Sequence, residues 1–210
     1  MKNNGKSGRN TLLWSVIMSS PGPLVVGIGL IMGRSSTQIA DFVRRSAELL
    51  AIIVSYVVYQ LTTRDGFTDM ERKARLEKNT DLFVGGAMCL GGAMMLFLAL
   101  LPSKGETGNV IPGLSIAILG VIANSIFWRR YSRLGKESNN SILLVQSRLY
   151  RAKTLVDICV TAALLSVTLL PGSQLSYWLD KAGSAVVAVY LICTGAKTMS
   201  DRLKKAGRSM

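Results

Sequence analysis

The chain has 210 residues, 49% of them hydrophobic, with 25 Lys and Arg against 12 Asp and Glu, a net charge of +13 and no histidine. The lack of His excludes His-based acid–base catalysis and leaves a zinc centre only cysteines and carboxylates. The excess positive charge calls for an anionic partner, either nucleic acid or a membrane surface, and its distribution along the chain separates the two.

A membrane span needs about 20 mostly apolar residues, and six stretches meet that requirement. The first, Thr11–Met32, contains Pro21-Gly22-Pro23 at its middle, which predicts a kink. It is too long for a cleavable signal peptide and lacks a small-residue cleavage site. The second, Ile39–Leu61, carries Asp41, Arg44, Arg45 and Glu48. A charged linker from Thr62 to Lys78 follows, read as a solvated loop.

The third stretch, Thr80–Leu101, holds Gly85-Gly86, Gly91-Gly92, Ala87 and Ala93, a density of small residues that lets helix backbones approach closely. That seam serves either packing within the chain or a dimer. Met88, Met94 and Met95 read as soft packing residues. The fourth, Ile111–Trp128, contains Gly113, Gly120 and Asn124, and a second mixed-charge linker runs from Arg129 to Asn140.

The fifth, Ser147–Leu170, carries Lys153 and Asp157, with Tyr150 and Thr161 on the same face. The sixth, Gln174–Met199, has Gly183 and Gly195. Cys89, Cys159 and Cys193 lie in spans without CxxC spacing and read as small buried apolar residues.

The basic residues alternate sides with the spans. Lys2, Lys6 and Arg9 precede span one. Arg64, Arg72, Lys73, Arg75 and Lys78 follow span two, and Arg129, Arg130, Arg133, Lys136 and Arg148 follow span four or open span five. Lys197, Arg202, Lys204, Lys205 and Arg208 close the chain. The opposite side has only Arg34, Lys104 and Lys181. Cationic loops stay in the cytoplasm, so both termini are expected there, with the lipid bilayer as partner and no nucleic acid. The expected organisation is a tail at 1–10, a six-span domain at 11–199 and a tail at 200–210. No enzyme motif is present: there is no nucleophile elbow and no phosphate-binding loop, and Ser46 and Ser147 lack a base at a recognisable spacing.

A charge at bilayer depth costs several kcal/mol or thereabouts, so it is kept for a partner or a purpose. Arg44 and Glu48 share a helix face with Asp41, as do Lys153 and Asp157. Two helices therefore present an acid and a base to a common interior, and the candidate site is Asp41, Arg44, Glu48, Lys153 and Asp157.

This pattern resembles the transmembrane domain of the cation diffusion facilitators, exporters of zinc, iron, manganese or cobalt. In that family, span two opens with Ser-x-x-x-x-Ala-Asp and goes on to a His or Asp, then an Asp four residues later. Here Ser35 to Ala40-Asp41 matches the opening, and Arg44 and Glu48 stand at the ligand positions. Span five of the family has His then Asp four residues on, where this chain has Lys153 and Asp157. Asp180, before the small-residue run to Gly195, and Asn124 are also similar to family positions. The resemblance covers roughly residues 11–205 and implies an all-α membrane protein, a six-helix transmembrane bundle without the family's C-terminal cytoplasmic domain, forming a homodimer in the inner membrane.

The ligand positions depart from the family. Arg cannot deprotonate to ligate a metal, and Lys153 does so only with a strongly depressed proton affinity that Asp157 opposes. No metal and no cofactor are therefore assigned. Two readings remain open for the cluster. As a rebuilt transport site it supports proton-coupled efflux, with Lys153–Asp157 exchanging substrate for protons. The substrate is then an organic cation on the carboxylates or an anionic group on the guanidinium. As closed ion pairs, Arg44 with Glu48 and Lys153 with Asp157, or pairs crossing between spans two and five, it locks a non-transporting relative.

Overall fold

The computed structural model describes residues 2–32, 36–63, 69–100, 111–169 and 174–207, with the side chains of 29–41, 174–181 and a few helix-end positions outside the description. The described residues form helices α1 (Lys2–Ser19), α2 (Pro21–Met32), α3 (Ser36–Thr62), α4 (Met70–Leu100), α5 (Ile111–Glu137), α6 (Ser141–Leu169) and α7 (Gln174–Gly207). The fold is an all-α bundle, and α1 and α2 are one span broken at Ser20. Pro21 has no N–H to continue α1, and it disfavours helical geometry at Ser20, so it opens α2 instead. Ser20 closes α1 by donating both its N–H and its Oγ–H to the Val16 carbonyl, at 3.0 and 2.7 Å.

The helices from α3 onward have 27 to 34 residues. At about 1.5 Å per residue each reaches roughly 40 Å, more than a hydrocarbon layer of about 30 Å. They outrun the apolar segments because the flanking charged residues are themselves good helix formers. The linkers expected as loops are thus partly helical. Residues 70–79 are the first turns of α4, started by Asp69, whose Oδ1 accepts from the Arg72 N–H at 2.8 Å. Residues 129–137 complete α5. There Asn139 takes the left-handed conformation at φ 46°, with Asn139 N–H donating to Lys136 O and Asn140 N–H to Gly135 O. Asn140 then caps α6 through Leu143 N–H. Three residues suffice to turn the chain because Gly135 lets the helices meet: a Cβ there would stand 2.9 Å from Leu144.

Helices α4 and α7 form the other tight pair. A Cβ on Gly92 would meet Ala188 O at 2.7 Å, and one on Gly195 would meet Gly85 O at 2.6 Å. The small-residue seam of span three is therefore used within the chain, and Gly86 alone of these four faces open space within 4 Å. Met88 and Met95 are buried in the core. Cys89 and Cys159 are half-buried, whereas Cys193 lies exposed on the outer face of α7, against the expectation for all three.

Large apolar side chains cover much of the exterior, and several polar ones lie within the mainly apolar core. Buried positions include Thr11, Ser15, Glu48, Ser55, Asp81, Gln146 and Thr154, while the exterior carries Leu24, Val25, Leu50, Val57, Phe97, Ile122, Val186 and Val189. Two helices, α4 to Phe97 and α7 over Ala182–Lys204, are apolar and long enough to cross a membrane by composition alone. In α3 and α6 the interior charges interrupt the apolar run.

Candidate functional site

The site lies where α3, α5 and α6 face the broken span formed by α1 and α2. Glu48 is its centre and is 6% exposed. Arg44, one turn earlier on α3, donates from Nη1 to Glu48 Oε1 at 3.1 Å. Lys153 reaches from α6 to Glu48 Oε2 at 3.5 Å. Both oxygens of one buried carboxylate are thus held by cations from two helices, which offsets part of the cost of taking all three charges out of water.

Lys153 and Asp157 do not form the i, i+4 ion pair expected from their spacing. Arg44 and Glu48 do pair in that same base-then-acid order, so spacing and order do not decide the matter; the approach of α3 does, bringing the Glu48 carboxylate to 3.5 Å from Lys153 Nζ. Asp157 instead accepts a 2.6 Å hydrogen bond on Oδ2 from the Asn124 amide of α5. Gly120, one turn before Asn124, gives that carboxylate its room, since a Cβ there would stand 2.8 Å from Asp157 Oδ2. Among the described residues no cation lies within 4 Å of the Asp157 carboxylate.

Lys153 also donates to Ser19 Oγ at 3.4 Å, just before the break in span one. Ser19 Oγ lies 3.2 Å from the Tyr150 hydroxyl, and Tyr150 donates a 3.5 Å bond to Ser15 O. Ser15 Oγ is 2.6 Å from the Tyr131 hydroxyl, which reaches Thr11 O at 3.3 Å. A polar track thus runs from Lys153 along α1 toward the end of the bundle that carries the basic linkers. The rings of Phe127, Tyr131 and Tyr150 lie against one another beside it. Thr161 plays no part in that track, as its hydroxyl donates to the Asp157 main-chain oxygen of its own helix at 2.7 Å.

The structure therefore brings Arg44, Glu48 and Lys153 into contact and sets Asp157 one turn further along α6 with Asn124. The Asp41 side chain lies outside the described residues. Arg45 is half-buried, its guanidinium against Gly22 of α2. Arg148 is away from the site, bonded to Thr198 at 3.1 Å and 4.0 Å from Asp201 of α7. Among the described residues no three of His, Cys, Asp and Glu stand together to hold a metal ion.

Sequence reasoning missed Ser15 and Ser19, whose spacing of four on α1 was the available signal. It also missed Asp81, fully buried on α4 and ion-paired with Arg202 of α7. A lone acid at the start of an apolar run was the clue there.

Residues 12–205 match the model of the cation efflux transmembrane domain. No curated protein matches the chain.

Proposed function

The chain belongs to the cation efflux family of membrane transport proteins, and we propose that it is a secondary transporter exporting a cation or small charged solute in exchange for protons. One observation carries this reading: the site divides its two acids unequally. Glu48 is held by Arg44 and Lys153, while among the described residues the Asp157 carboxylate is bonded to the neutral amide of Asn124 and to no cation. A carboxylate inside a bundle with no cation of its own can hold a proton or a cationic substrate, one at a time. Asp157 is the exchanging group in this account, and Arg44, Glu48 and Lys153 set the field around it. Arg44 and Lys153 stand where the family has His or Asp ligands, so the site favours a substrate held by oxygen and charge over a tetrahedral zinc ion.

Orientation follows from the basic linkers, which put both termini and the track from Ser19 to Tyr131 on the cytoplasmic side of the inner membrane. The spanning domain is taken as 11–199, with tails at 1–10 and 200–210 into which α1 and α7 continue as helix. A homodimer is the proposed assembly. Asp41, at the entrance to α3, is assigned to the same substrate pathway.

The test is proton flux. Purified protein is sealed into vesicles with a pH-sensitive dye and challenged with sodium, potassium, manganese, zinc and tetraphenylphosphonium in turn. Cation-dependent proton movement that vanishes in Asp157→Asn supports the reading. The doubly held Glu48 favours a second reading, a non-transporting relative whose site is closed by ion pairs. A folded parent protein without flux for any of these cations would select it.

A further inference from the structure

Arg151 stands two positions before the site residue Lys153 on α6 and turns the other way: Lys153 points inward, and Arg151 points out. Its guanidinium lies over the Trp128 ring of α5 at 5.9 Å and over the Tyr190 ring of α7 at 5.6 Å. Three helices thus contribute to one exposed cation, and among the described residues no acid pairs with it. An unpaired charge on the outer surface of a membrane bundle needs an anion from its surroundings.

Depth supplies the source. Arg151 is about seven residues from the middle of span five, so its backbone lies about 10 Å from the bilayer centre. The hydrocarbon half-thickness is about 15 Å. The side chain leans toward the N-terminus of α6, which is the basic end of the bundle, and can reach the headgroup layer. Trp128, the last residue of span four, is a residue type found at that layer. Cation–π contact with both rings holds the guanidinium in place, and a guanidinium can donate to two phosphate oxygens at once. Beyond it, toward the bilayer centre, Ile158, Val186 and Val189 are exposed and apolar, a surface for acyl chains. Lys197 is exposed two turns from Tyr190 along α7, toward the basic end.

We propose that Arg151, held between Trp128 and Tyr190, binds the phosphate of an anionic phospholipid. The proposal does not depend on whether the protein transports. Native mass spectrometry tests it on the intact protein in detergent, with phosphatidylglycerol and phosphatidylcholine of identical acyl chains. The parent should retain phosphatidylglycerol at least threefold better than phosphatidylcholine. Arg151→Gln should lose that preference, Arg151→Lys should keep part of it, and Arg133→Gln, an exposed arginine paired with Glu137, should leave it unchanged. Trp128→Leu serves as a second variant, should Arg151→Gln fail to fold, and should lose at least half of the preference. Equal retention of the two lipids by the parent, or an unchanged preference in Arg151→Gln or Trp128→Leu, would overturn the proposal.

Discussion

Lys153 bridges from α6 to Glu48 on α3 at 3.5 Å and leaves Asp157, its neighbour one turn along the same helix, to the amide of Asn124. That choice of partner makes one acid of the site structural and the other available.

Removing Glu48 alone should be the most damaging single change to the cluster. Glu48→Gln leaves Arg44 and Lys153 buried without their counter-charge, and breaking a buried pair costs about 3–5 kcal/mol. Arg44→Met combined with Glu48→Gln restores the parent's net charge and should recover part of that loss, since Lys153 still lacks its partner. Thermal unfolding of the three proteins in detergent measures it. Equal midpoints for all three would mean that the charges are hydrated.

Asn124→Leu removes the 2.6 Å bond to Asp157. A hydrogen bond to a charged group contributes about 1.5–3 kcal/mol. Transport should fall about tenfold or more, while the helical circular dichroism spectrum should match the parent's. Unaltered transport would show that the amide does not set the carboxylate's position.

Two glycine substitutions separate the site from the scaffold. Gly120→Ala would push its Cβ to 2.8 Å from the Asp157 carboxylate, which can swing aside. It should impair transport with little loss of stability. Gly195→Ala would set a Cβ 2.6 Å from Gly85 O, and backbone cannot yield so easily. It should cost about 1–3 kcal/mol by overpacking the α4–α7 seam. Chemical unfolding and vesicle flux of the two variants, measured side by side, check the contrast.

Arg202→Gln should destabilise the protein by about 3–5 kcal/mol, because Asp81 is fully buried and Arg202 is its ion-pair partner. Asp81→Asn with Arg202→Gln should be milder than Arg202→Gln alone, as the thermal midpoints will show. A double variant no better than the single one would remove Asp81 as the cause.

The spans were legible because length and apolarity are local properties. The break before Pro21 was legible because proline acts on its own backbone. The convergence of spans two and five was written in the four-residue steps of Arg44–Glu48 and Lys153–Asp157. Partner choice was not legible. Spacing along α6 offers Lys153 and Asp157 to each other, just as it pairs Arg44 with Glu48 on α3, but the approach of α3 gives Lys153 to Glu48. The bonds from Asn124 to Asp157 and from Ser19 to Lys153 join helices far apart in sequence, so no periodicity encodes them. The α4–α7 seam was visible as glycine density in Gly85 to Gly92, but whether its partner was α7 or a second chain depended on the packing of Ala188 and Gly195.

The central claim is that Asp157 exchanges a proton for the transported cation. Asp157→Asn keeps the side chain's shape and its hydrogen-bonding oxygen but cannot take up a proton. The decisive measurement is dye-reported proton movement in vesicles carrying parent or Asp157→Asn protein, each shown to be monodisperse before reconstitution. The account predicts cation-driven proton flux from the parent and none above empty vesicles from the variant. Undiminished flux from a well-folded Asp157→Asn protein would contradict it and move the exchange to Glu48 or Asp41.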